Sequence, residues 1–111
     1  MKLNELANLL DAEIGNAGDA GKEIRGGYTG DFLSFVMSRA PSDCAWFTVM
    51  SNVNVAAVAY MSEVGCVVIC EGVNPEQALV ERCKKENINL LTTALDSYRA
   101  AAKLAVYESK L

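Results

Sequence analysis

Histidine is absent from all 111 residues, and with it the side chain that most readily exchanges protons near neutral pH. Any acid–base chemistry would have to rest on carboxylates. No segment approaches the roughly 18 apolar residues of a membrane-spanning helix. The opening stretch "MKLNELANLLDAE" is interrupted by Asn4, Glu5, Asn8 and Asp11, so it lacks the unbroken apolar stretch of a signal peptide. A basic stripe is missing too. Lys84-Lys85 is the only adjacent basic pair and the net charge is −4, which disfavours nucleic acid as a partner. These absences predict a cytoplasmic chain that engages neither membranes nor nucleic acid.

The metal and phosphate motifs are missing as well. There is no C-x-x-C and no G-x-x-x-x-G-K-[ST], so neither a compact thiolate site nor a Walker-type phosphate loop is expected. The four cysteines are Cys44, Cys66, Cys70 and Cys83. In "CVVIC" the strand-like spacing sets Cys66 and Cys70 on one face but roughly 13 Å apart. That separation suits neither a disulfide nor a shared zinc ion. They read as small buried hydrophobes in a reducing compartment, and no cofactor or metal is expected.

Half the residues are apolar and under a quarter are charged, the balance of a folded domain. The length allows one hydrophobic core, so residues 1–111 read as a single domain. Leu3, Leu6, Ala7 and Leu10 predict a helix over 3–11. Residues 12–30 are glycine-rich and irregular, with room for two short strands around Ile14 and Ile24. Phe32, Leu33, Val36 and Met37 predict a helix over 31–39, ended by Pro41.

From 44 onward strand and helix alternate. "CAWFTVM" (44–50), "CVVIC" (66–70) and "INLLTT" (88–93) read as strands. Between them lie "VNVAAVAYMSEVG", apolar nearly all round and closed by Gly65, and "NPEQALVERCKKEN", with Asn74 as cap and Pro75 first. Leu95, Tyr98, Ala102 and Ala105 mark a last helix. Such alternation predicts βαβ crossovers and a three-layer α/β/α sandwich around a largely parallel sheet.

Ligands of open parallel sheets settle beyond the carboxyl ends of the strands. The reading places "RGG" (25–27), Ser51-Asn52, Glu71-Gly72 and Thr92-Thr93 at those ends, with Tyr28, Thr29, Asp31 and Asn54 beside them. Gly26, Gly27 and these hydroxyls, amides and carboxylates could receive a small anionic ligand at free helix N-termini. Turns and caps need the same residue types, so both readings stand. Asp31 also suits the positive end of its helix, while Glu71 has no such explanation. The run G-G-x-x-G at 26–30 only partly matches a dinucleotide fingerprint. Gly26 and Gly27 are expected to shape the approach to the 31–39 helix, at least one with positive φ.

"GGYTGDFLSFVM", "VNVAAVAYMSEVGCVVICEGVNPE" and "INLLTTALDSYRAAAKL" together resemble, in order, segments of the DRTGG domain family, over about residues 22–105. The resemblance implies a fold similar to the N-terminal domain of HPr kinase/phosphorylase. It also implies an accessory or regulatory module without established catalysis. Members accompany CBS domains, including those of regulated pyrophosphatases, or occur as free-standing versions, some beside iron-only hydrogenase components. Gly26-Gly27 match the motif's glycines. Gly21-Lys22 stand where it opens with Asp-Arg, and Arg25 where a threonine is usual, which puts any role of that acidic-basic pair in doubt.

The expected function is therefore a non-catalytic regulatory module acting through protein interaction, with no catalytic residues. The alternative is a sensor of nucleotides or phosphorylated metabolites in the strand-end crevice. A third reading is an accessory of iron-only hydrogenase or redox metabolism. The all-round apolar helix Val53–Met61 and the apolar spread of Tyr98, Leu104, Val106 and Tyr107 predict a homodimer.

Overall fold

A computed structural model describes residues 1–110 of the chain. In chain order its elements are α1 (Leu3–Leu9), β1 (Glu13–Asn16), β2 (Gly27–Thr29), α2 (Leu33–Arg39), β3 (Ala45–Thr48), α3 (Asn54–Ser62), β4 (Cys66–Ile69), α4 (Gln77–Glu86), β5 (Leu90–Thr92) and α5 (Ser97–Ser109). The strands form one sheet in the order β1-β5-β4-β3-β2. β2 to β5 run parallel, and β1 joins β5 antiparallel at the far edge.

Strand order advances by one place with each crossover from β2 to β5. Right-handed crossovers then put their helices on the same face, and α2, α3 and α4 do share one core. Val36, Val55, Leu79 and Cys83 meet Trp46, Val67, Ile69 and Leu90 there. The opposite face receives α1 and α5, where Leu3, Leu6, Ala100 and Leu104 pack on Ala45, Phe47, Val68 and Leu91. Alternate residues of each central strand thus enter opposite cores, which is why β3 and β4 are buried along their whole length. The three-layer α/β/α sandwich with a largely parallel sheet is the observed fold.

Several local expectations need correction. α1 ends at Leu9 rather than 11, because Asp11 turns to φ +51°. α2 begins at Leu33 and buries only Val36, leaving Phe32 and Met37 at the surface. α3 closes on Glu63 at φ +55°, not on Gly65. Gly65 instead passes the Asp43 carbonyl so closely that a Cβ would lie 2.5 Å from its oxygen. α4 starts at Gln77, with Glu76 as its cap instead of Asn74. The Glu76 N–H is taken by the Ser51 carbonyl at 3.0 Å, which holds the Pro75 segment extended.

α5 buries Ala100 and Leu104, while Tyr98 is 81% exposed. Its phase is set by the Asp96 cap, whose carboxylate accepts the Arg99 N–H at 2.7 Å and leaves Leu95 outside the helix. The apolar α3 finds most of its cover within the chain. It lies between α2 and α4 with Val55, Ala56, Val58 and Ala59 buried, and only Tyr60 and Met61 strongly exposed beyond its first turn. The apolar character of α3 therefore reflects burial between its neighbours.

Candidate functional site

The carboxyl ends of β2, β3, β4 and β5 form one rim, and the chain's own turns occupy most of it. Asp31 follows β2, and its Oδ1 accepts from the Thr48 hydroxyl at 2.7 Å and from the Val49 N–H at 2.8 Å. It therefore ties β2 to β3 and is not a helix cap, since α2 has no side-chain cap. Asn52 Oδ1 accepts the Asn54 N–H at 2.9 Å and shapes the turn into α3. The Ser51 carbonyl holds the start of α4.

Glu71 and Gly72 are successive left-handed residues, at φ +64° and +68°. Their N–H groups donate to the carbonyls of Leu95 and Thr93. Thr93 is 3% exposed, donates to the Leu10 carbonyl at 2.8 Å and accepts from the Leu95 N–H. Glu71 thus spends its backbone on the turn, and its carboxylate is exposed to solvent.

The glycine pair lies elsewhere. Gly27 opens β2 opposite Ala45, the first residue of β3, so Arg25, Gly26 and Gly27 stand at the amino ends of the strands. β1 runs antiparallel and delivers the chain to that end; residues 17–26 then cross beneath the sheet to its other edge. Gly26 has φ +70°, and its N–H donates to Glu108 Oε2 at 2.7 Å. The pair therefore shapes the approach to an edge strand, not to a helix. Tyr28 is half-buried against the α2–α4 core, a wall residue on the face opposite Thr29.

No described cavity gathers the predicted residues. A hollow of about 230 Å³ takes Gly72, Thr92 and Thr93 together with Asp11, Glu13 and Asn74. A second of about 430 Å³ lies along α5, lined by Thr29, Ser97, Tyr98 and three alanines. A third of about 210 Å³ adjoins it and takes Gly27 with Phe47, Leu104 and Glu108. Asp31, Ser51, Asn52, Asn54 and Glu71 line none of these.

The charge of the carboxyl rim bears on ligand class. Asp11, Glu13, Asp31, Glu71, Glu76 and Asp96 all lie at this end, and among the described residues the cation nearby, Arg99, is paired with Asp96 at 2.6 Å. The backbone and side chain of Arg99 hold the Asp96 carboxyl below its ordinary range. Among the described residues, a bare phosphate brought here would meet carboxylates with no free cation. Among the described residues no group of three or more histidine, cysteine or acidic side chains could hold a metal ion, and no helix is long and apolar enough to cross a membrane.

Two polar residues that organise the sheet ends were not singled out in the sequence. Thr48 is fully buried under Asp31, and Asn89 is 2% exposed at the opposite end. Thr48 looks like any β-branched strand residue in "AWFTV", and Asn89 like a turn residue before a strand. Their only signal is a hydrogen-bonding side chain inside an otherwise apolar run. The cysteines are buried and free, as expected. Burial pushes the Cys44 and Cys83 thiols up to about 11 and Cys66 higher still.

No curated protein matches the chain by sequence. Among solved structures, it is similar to the CBS and DRTGG domains of the regulatory region of Clostridium perfringens pyrophosphatase, crystallised with the activator diadenosine tetraphosphate. The TM-score is 0.79 at 20% identity, over 93% of this chain and 45% of that one, so the chain spans under half that region's length. The likeness is one of fold. The profile of the DRTGG domain matches residues 5–106. Set without a gap on the run that ends in Gly26-Gly27, the five-letter motif opens on Glu23 and Ile24, not on Gly21-Lys22. Ile24 is 1% exposed in the core beside α1, so that position now serves packing. With the profile spanning nearly every element of the sandwich, the chain belongs to the DRTGG domain family.

Proposed function

We propose that this domain is a non-catalytic regulatory module that works through protein interaction, including self-association, in a reducing cytoplasmic compartment. The commitment of the strand-end polar groups to the chain's own turns carries this reading. Thr48, Asn52, Thr93 and Asp31 are bonded internally, and the free carboxylates lack the polarised partner that acid–base chemistry needs. The four buried, unpaired thiols agree with a reducing compartment.

Nucleotide sensing is the second reading, favoured by the activator in the pyrophosphatase structure. The acidic rim weighs against it for an unaccompanied phosphate. Thermal-shift measurements with nucleotides and phosphorylated metabolites, with and without magnesium, separate the two, because a ligand of the folded state adds RT ln(1 + [L]/Kd). A flat response across the panel is expected. Dose-dependent stabilisation by one nucleotide class would transfer the assignment to sensing.

A further inference from the structure

We draw no further inference here: the strongest candidate, the apolar hollow lined by Thr29, Tyr98 and Ala101 between α5 and the outer edge of β2, is an unpartnered face beside a strand of 3 residues, and nothing in the structure shows what covers it.

Discussion

Asn89 and Asp19, 70 residues apart, hold each other by two reciprocal bonds: the Asp19 N–H donates to Asn89 Oδ1 at 2.8 Å, and Asn89 Nδ2 donates to the Asp19 carbonyl at 2.9 Å. Asn89 Nδ2 also donates to the Gly65 carbonyl at 3.0 Å. One buried amide thus fastens the segment crossing beneath the sheet to the start of β5 and to the turn before β4. Asn89→Ala strands these partners, and a buried unpaired group costs about 1–3 kcal/mol. The variant should lose at least about 2 kcal/mol in urea unfolding. Asn89→Asp keeps one acceptor but no donor, and should be no better.

The glycine pair divides into unequal halves. Gly26 has φ +70° with open space where a Cβ would stand, so alanine there meets backbone strain alone. That strain is about 1–2 kcal/mol. Gly27 lacks a positive φ, and its added Cβ would lie 3.1 Å from a ring carbon of the buried Phe47, so the ring must give by a few tenths of an ångström. Gly26→Ala should lower the urea midpoint clearly, and Gly27→Ala by less. The reverse order would place the constraint in the packing of Phe47 instead of the turn.

The thiols predict a one-sided alkaline response. Cys44 and Cys83 titrate near 11 in the folded chain because burial disfavours the thiolate, against 9.0 when free. Below pH 9 both states hold the proton and stability is unaffected. Between 9 and 11 the unfolded chain binds fewer protons than the folded one, so stability falls as pH rises. Denaturation midpoints should be level from neutrality to about pH 8.5 and then decline. A disulfide-exchange reagent should react slowly with native protein at neutral pH and rapidly after unfolding, since the thiolate is the nucleophile.

Much of the architecture follows from local chemistry. The unbroken apolar run of "CVVIC" required a strand covered on both faces, and the strand–helix alternation after 44 required parallel crossovers; both depend on near neighbours in sequence. The family, too, was legible in the glycine-containing segments. Pairings across the chain were not. That Gly26 and Gly27 stand at the amino ends of the strands follows from β1 running antiparallel beside β5, and no local periodicity encodes a strand's partner. That Asp31 serves Thr48 and Val49 rather than its own helix depends on the meeting of β2 and β3. The phase of α5 depended on Leu104 finding the second core and on the Asp96 cap, so Tyr98 went to solvent although it shares the helical spacing. Sequence determined which residues must be buried and in what elements. The tertiary structure decided which polar groups were left over, because a hydrogen bond is spent only when its distant partner arrives.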